Sequence, residues 1–283
     1  MNNNKSILYI VPTPIGNLLD ITNRAIYILN NVDYIITENI KHTCFLLNYF
    51  SIKKRHLYLL NQHNEYKQIS YLITVLKKNK TMALVSNAGT PLISDPGYKL
   101  VYECKKLNIN VVPLPGPCAA ITALSASGLP TNKFCYEGFL SSKRKKRIKQ
   151  LKLLLYEPRT IIVYESTHRV IELLEDIVQV FNDNRYIVLA KELTKIWENI
   201  YGAPANKLIH HIKNNNLNIK GEITLIIQGY SGSKNINYIK ALEIFIKLKK
   251  LLPLNISLSI VKSIFKIKRN ILYKNFINFN KNK

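Results

Sequence analysis

Three loops rich in glycine and proline hold residues of the kind that press bare backbone against a small molecule. They are Val11-Pro12-Thr13-Pro14-Ile15-Gly16-Asn17, Ser86-Asn87-Ala88-Gly89-Thr90-Pro91-Leu92-Ile93-Ser94-Asp95-Pro96-Gly97 and Pro113-Leu114-Pro115-Gly116-Pro117-Cys118-Ala119-Ala120. Glycine removes the Cβ that would block such an approach, and proline fixes the turn that presents the neighbouring groups. Each loop follows a short apolar run and precedes a helical stretch. In an open α/β sheet that edge, beyond the carboxyl ends of the strands, is where ligands bind.

The chemistry these loops serve is narrowed by what is missing. No Gly-x-Gly-x-x-Gly follows the first apolar run and no Gly-Lys-Ser/Thr phosphate loop occurs, so dinucleotide and ATP chemistry lose their usual signature. Cys44, Cys104, Cys118 and Cys135 are scattered, and His210 and His211 are adjacent rather than one helical turn apart, so no metal site is expected. A serine nucleophile elbow, Gly-x-Ser-x-Gly, is absent. The expectation is a cofactor held chiefly by backbone groups, without metal and without a phosphate cradle.

The elements that must position these loops alternate in type. Residues 7–11, 32–37, 81–86 and 109–114 read as strands, and residues 21–30, 68–78 and 97–107 as helices, the first opened by Asp20 as N-cap. This alternation predicts a mostly parallel sheet covered on both faces. A small-residue helix over 119–127 ends at Gly128 and Pro130, which marks a domain boundary. A second αβ unit follows, with strands at 134–139, 160–165, 186–191, 196–201 and 223–228 and helices at 145–155 and 169–181. Gly229-Tyr230-Ser231-Gly232-Ser233 reads as a linker, and beyond it helices at 256–265 and 270–279 with a short turn between them resemble a helix-turn-helix. The expected architecture is α/β: two αβ domains, residues 1–129 and 130–230, with the cofactor cleft between them, then a small helical segment over 231–283.

The chain carries 41 Lys and Arg against 17 Asp and Glu among 283 residues, a formal charge of +24. A positive field of that size favours polyanions, nucleic acid first among them. Part of the lysine surplus is also what A/T-rich codons produce, since Lys, Asn and Ile are all abundant. The densest basic run is Lys143-Arg144-Lys145-Lys146-Arg147, just past the boundary. No stretch is apolar enough to span a bilayer and the first residues do not read as a signal peptide, so a cytoplasmic location is expected.

Residues 8–20, 84–97, 112–129 and Tyr136-Glu137-Gly138-Phe139 resemble the tetrapyrrole-methylase superfamily. More narrowly they are similar to its ribosomal branch, the small-subunit rRNA methyltransferases. Tyr164-Glu165-Ser166-Thr167-His168-Arg169, Lys191-Glu192-Leu193-Thr194-Lys195 with Trp197-Glu198, and Lys220-Gly221-Glu222 fit that branch. The resemblance implies S-adenosylmethionine as methyl donor, a homodimer, and 2′-O-methylation of the ribose of a cytidine in the decoding region of 16S rRNA within the small ribosomal subunit. It implies that Ala88, Gly89, Thr90, Asp95, Pro115, Gly116, Ala119, Gly221 and Glu222 enclose the cofactor, with Pro12 and Gly16 of the first loop facing either the cofactor or the substrate. Lys143, Arg144, Lys145, Lys146, Arg147, Arg169, Lys191 and Lys195 are the candidate rRNA contacts, which position a substrate without reading its bases. A ribose hydroxyl is a poor nucleophile at neutral pH, so a base that accepts its proton helps. Glu65, Glu165, Glu192 and Glu198 lie in motifs of the family and are the candidates for that role.

The chain departs from the family pattern at four loop positions. Glu38-Asn39-Ile40-Lys41 stands where the family carries Glu-Asp-Thr-Arg, and Ser86-Asn87-Ala88-Gly89 where it carries Ser-Asp-Ala-Gly. Each change is one transition in the A/T direction. Two alternatives therefore stay open: a subunit-binding protein weakened in catalysis, which the departures favour, and a methyltransferase for a small molecule, which the basic composition opposes. Asn39→Asp, Ile40→Thr, Lys41→Arg and Asn87→Asp made together are expected to raise kcat/KM for subunit methylation several-fold. An unchanged kcat/KM would show that these positions do not matter.

Overall fold

The computed structural model describes residues 6–53, 56–61, 64–214, 221–231, 236–265 and 267. The chain divides into two compact units between Gln228 and Gly229, where the stretch read as a linker begins.

The first sheet is wholly parallel, in the order β3-β2-β4-β1-β5, from β1 (Ile7–Ile10), β2 (Tyr34–Thr37), β3 (His56–Leu59), β4 (Thr81–Val85) and β5 (Asn110–Pro113). One face packs on α1 (Asn23–Asn31) and α2 (Ile40–Tyr49) through Ala25, Ile28, Leu29, Leu47, Ile35 and Ala83. The other packs on α3 (Glu65–Leu76) and α4 (Tyr98–Lys106) through Leu72, Leu76, Leu100, Cys104, Leu8 and Met82. Central strands buried on both faces are what apolar runs such as Met82-Ala83-Leu84-Val85 require. The consequence for function lies in the strand order. β4, β1 and β5 are neighbours, so the three glycine-proline loops leave the same edge side by side although about 70 residues separate the first two.

The helix α5 (Ala119–Ala126) leads from the third loop to the second sheet, whose order is β6-β7-β10-β8-β9. Its strands are β6 (Phe134–Phe139), β7 (Thr160–Ser166), β8 (Tyr186–Lys191), β9 (Asn199–Pro204) and β10 (Glu222–Ile227). β6 and β7 are parallel, and the remaining pairs are antiparallel. α6 (Arg144–Leu154), α7 (Val170–Phe181) and α8 (Ala205–Asn214) cover one face through Leu151, Leu173, Ile177, Phe181 and Leu208. The opposite face takes Ala120, Ala123 and Leu124 of α5, with Ile15 of the first loop, against Ile162, Val188 and Ile226. Alanine at 120 and 123 lets α5 come close to the strands.

Several sequence expectations change. The N-cap of α1 is Thr22, whose Oγ1 accepts from the Ala25 amide at 3.1 Å, while Asp20 closes a 3-10 turn capped by Asn17. The strand expected at 196–201 begins at Asn199, because Glu192 and Thr194 take left-handed backbone and residues 192–198 form a loop. α2, β3 and α8 have no counterpart in the sequence reading; α2 has weak apolar periodicity and β3 is a four-residue edge strand. In the second unit α9 (Ile236–Lys249) and α10 (Leu254–Phe265) share a core of Ala241, Phe245, Leu258 and Val261. The helix expected at 270–279 lies outside the described residues.

A buried charge cluster joins α6 to α7. Arg147 has no exposed side-chain area, and its Nε donates to Asp176 at 2.8 Å while the other Asp176 oxygen takes Arg144 Nε at 2.8 Å. Removing one partner strands the other charge away from water, so Asp176→Ala is expected to cost about 3–5 kcal/mol of folding stability. Urea unfolding of the two proteins measures it, and a loss below about 1 kcal/mol would show the pair to be dispensable.

Candidate functional site

The first and second loops are tied by a two-way backbone bridge: the Thr13 amide donates to the Gly89 carbonyl at 2.9 Å and the Gly89 amide to the Thr13 carbonyl at 3.0 Å. Gly89 has φ +79, which glycine adopts without strain. Thr90 Oγ1 donates to the Pro117 carbonyl at 2.8 Å and brings in the third loop. Pro12 lies against Gly116, where a Cβ would come within 2.6 Å of the proline ring. The loops therefore brace one another before they touch any ligand.

Between this braced edge and the second sheet lies a cleft of about 480 Å³. Ala88, Gly89, Thr90, Asp95, Ala119, Gly221 and Glu222, all expected cofactor residues, line it. So do Glu38, Asn87, Cys118, Phe139, Tyr164 and Glu165. Pro12, Pro115 and Gly116 line neither this cleft nor the one beside it, and Pro12 and Gly116 are scaffold for each other. Gly16 lines the neighbouring cleft of about 410 Å³, with Leu18, His42, Phe45, Leu46 and Lys195. The two clefts share Ile15, Asn87, Ala88 and Glu222.

Tyr164 ties the wall to α5: its hydroxyl accepts from the Ala120 amide at 3.0 Å, one of the first-turn donors a helix cannot satisfy internally. Burial holds the Tyr164 phenol well above its ordinary value, so it stays neutral. Tyr136 and Phe139 meet the same ring edge-on, at 5.2 and 5.6 Å between centroids.

The candidate bases fall in different places. Glu65 is buried away from both clefts, where it accepts the Gly97 amide at 3.1 Å. Glu165 lines the first cleft but is already bound by the Ser166 amide at 2.7 Å and Arg169 at 2.9 Å. Glu198 accepts the Thr194 amide at 2.6 Å on the exposed loop before β9. Glu192 takes Lys195 Nζ at 2.8 Å and the Glu222 amide at 3.0 Å, under Gly221, where a Cβ would collide with its carboxylate. Burial works against its ionisation, but Lys195 and the Glu222 amide outweigh it and hold Glu192 below its ordinary value.

The basic residues divide as well. Lys143, Lys145 and Lys146 are exposed, as is Arg144 despite its bond to Asp176. Arg147 is enclosed with Asp176 and is not available to a phosphate, which corrects the expectation for that residue. Arg169 is shared between Glu165 and the Leu140 carbonyl, and Lys191 is half-buried at the end of β8. Lys195 reaches the second cleft.

Two acidic groups meet in the first cleft. Burial first, and the charge of Glu38 second, push Asp95 up to about 6. Asn87 Nδ2 donates to Glu38 at 3.1 Å, while its Oδ1 is buried with no hydrogen-bond partner. An aspartate at 87 would remove that donor and set a third carboxylate beside the other two. Asn39, another departure from the family, caps α2 by accepting the His42 amide at 3.3 Å, which an aspartate would do as well. The sequence shows Glu38 in its motif without giving it a site role, yet its place directly after β2 at the sheet's carboxyl edge was the available signal. Phe45 and His42 gave none, because α2 itself was not anticipated.

Between 3.8 and about 6 folded Asp95 keeps a proton that the unfolded chain has released, so raising the pH through that window removes stability. Asp95→Asn is therefore expected to abolish the part of the stability loss between about pH 5 and about pH 7 that this group causes. Urea midpoints of both proteins at the two pH values measure it; equal losses would contradict the assignment.

Comparison with known proteins places this geometry. The profile of the family described as Tetrapyrrole (Corrin/Porphyrin) Methylases matches residues 7–209. A protein of Buchnera aphidicola subsp. Schizaphis graminum named "Ribosomal RNA small subunit methyltransferase I" is 53% identical over 277 residues, 97% of each chain. One of Escherichia coli O157:H7 with the same name is 50% identical over 273 residues, 96% of this chain and 95% of its own. The fold resembles a uroporphyrin-III C-methyltransferase from Thermus thermophilus solved with S-adenosyl homocysteine, at a TM-score of 0.55 and 12% identity over 78% of this chain and 96% of that one. The chain belongs to the tetrapyrrole methylase family and, within it, to the family of ribosomal RNA small subunit methyltransferase I.

Proposed function

We propose that this protein methylates the ribose 2′-hydroxyl of a cytidine in the decoding region of 16S rRNA, using S-adenosylmethionine and acting on the assembled small subunit. The observation that carries the reading is identity of about half across nearly the whole chain to proteins bearing that name. The reading includes a cytoplasmic homodimer, as the family resemblance implies. Among the described residues no helix is long and apolar enough to cross a membrane, and no cluster of His, Cys, Asp and Glu could hold a metal ion.

The first cleft suits the donor. Its volume is that of a small-molecule site. Gly89 leaves backbone bare on one wall, Glu38 and Asp95 favour a cationic ligand, and the orphaned Asn87 Oδ1 needs a donor. Ala88, Gly89, Thr90 and Ala119 would hold it, with Asp95 facing its positive end. When bound it supplies a methyl group on a sulfonium: the ribose oxygen forms the new bond to carbon as the bond to sulfur breaks, and the electron pair stays on sulfur. Much of the acceleration is positional, because the braced loops fix the donor's place before the acceptor arrives.

The hydroxyl proton needs an acceptor near both reactants. Glu222 lines both clefts, and its side chain is 72% exposed, held among the described residues only by Lys195 at 3.5 Å. Our reading gives the proton to Glu222 and leaves Glu65, Glu165, Glu192 and Glu198 to the hydrogen bonds they already make.

The test uses labelled S-adenosylmethionine and small subunits lacking the ribose methyl. Label on one cytidine 2′-oxygen is expected, and Glu222→Gln should lower kcat by about a hundredfold with S-adenosylhomocysteine affinity kept. No label while a relative works alongside would favour binding without turnover. Full-rate Glu222→Gln would remove Glu222 from the mechanism.

A further inference from the structure

The second cleft adjoins the one assigned to the donor, and its chemistry is that of a nucleotide seat. α2 contributes His42, Phe45 and Leu46, and the loop after β8 contributes Lys195. Phe45 keeps 61% of its surface exposed, in a helix whose neighbouring Leu46 and Leu47 are buried. Two further apolar groups stand at the Lys195 side: Ile196 is 94% exposed and Trp197 77% exposed. An apolar wall with one free aromatic face, edged by a cation and an imidazole, matches a flat heterocycle carrying a sugar and a phosphate. The shared wall matters most. Asn87 and Glu222 face both clefts, so an acceptor in the second cleft lies against the place where the methyl is delivered.

We propose that the second cleft seats the acceptor nucleotide, drawn out of its RNA stack, with its base on the Phe45 ring and its ribose toward Asn87 and Glu222. This rests on the functional reading above. A nucleotide inside a structured RNA presents its 2′-oxygen to a recessed methyl only after leaving the stack, and a waiting π-face compensates the lost stacking whatever the base. Lys195, already fixed by Glu192, meets the phosphate as a point charge.

Phe45→Ala, Phe45→Leu and Phe45→Trp separate stacking from simple packing. Alanine and leucine are expected to lower kcat/KM on small subunits about tenfold to a hundredfold, and tryptophan to stay within about threefold of the parent. S-adenosylhomocysteine affinity and the mass in solution should not move in any of them. Full activity of Phe45→Ala, or leucine equal to tryptophan, would overturn the seat. Lost S-adenosylhomocysteine binding would assign the cleft to the cofactor instead, and a halved mass would assign the apolar rim to a second copy. Photocrosslinking of the parent to small subunits keeps this apart from the functional reading: a crosslink from α2 to the target cytidine supports the seat even where no methyl is transferred. Crosslinks that reach 16S rRNA only from other elements overturn it.

Discussion

The backbone bridge between Thr13 and Gly89 is the contact on which both clefts depend. Two short hydrogen bonds join loops about 70 residues apart in sequence, and the residues beside them, Ile15 and Ala88, line both clefts. The bridge exists because β1 and β4 are adjacent and in parallel register, Leu8 opposite Met82 and Ile10 opposite Leu84. It also explains why glycine stands at 89: the left-handed turn there presents both amide and carbonyl to the partner strand's loop. Proline at 12 and glycine at 116 extend the bracing to the third loop, and neither residue lines the two clefts.

The second constraint is what holds the two sheets across the cleft. α5 carries the third loop directly into the core of the second sheet, with Ala120 and Ala123 small enough to let the helix settle on Ile162, Val188 and Ile226. The bond from the Ala120 amide to Tyr164 couples the start of that helix to a cleft wall. Lys195, Glu192 and the Glu222 amide lock the opposite wall, and Gly16 gives the Lys195 stem room to pass. Both walls are held in place by polar groups at their ends that bond one another.

Electrostatics divide the labour. The chain as a whole is strongly cationic, which draws a polyanion from a distance. The first cleft is the opposite: Glu38 and Asp95 concentrate negative charge in a partly buried space, where one of them is costly to ionise without a cation. Asn87 lowers that cost by donating to Glu38. A cationic ligand in the cleft and an anionic one around it are thus served by separate regions of one surface.

The class of fold, the three glycine-proline loops and the family are readable from the chain alone, because apolar runs, glycine-proline turns and long ordered motifs are written locally. β8 was legible to its end residues for the same reason, as a β-type run between turn residues, and β6 was legible to the same precision although Gly138 interrupts its register. Strand adjacency was not legible, since a parallel crossover leaves no local trace of which strands become neighbours. Charge state and burial were not legible either: Arg147 sits in a run of exposed cations and differs from them only in facing Asp176 on another helix. The same holds for the carboxylates. Glu65 and Glu192 are bound by the Gly97 and Glu222 amides, which only the folded chain brings to them, while Glu165 and Glu198 accept the nearby Ser166 and Thr194 amides. Tertiary structure decided which loops touch, which charges are neutralised and where two clefts meet, because those depend on distances between residues that the chain places far apart.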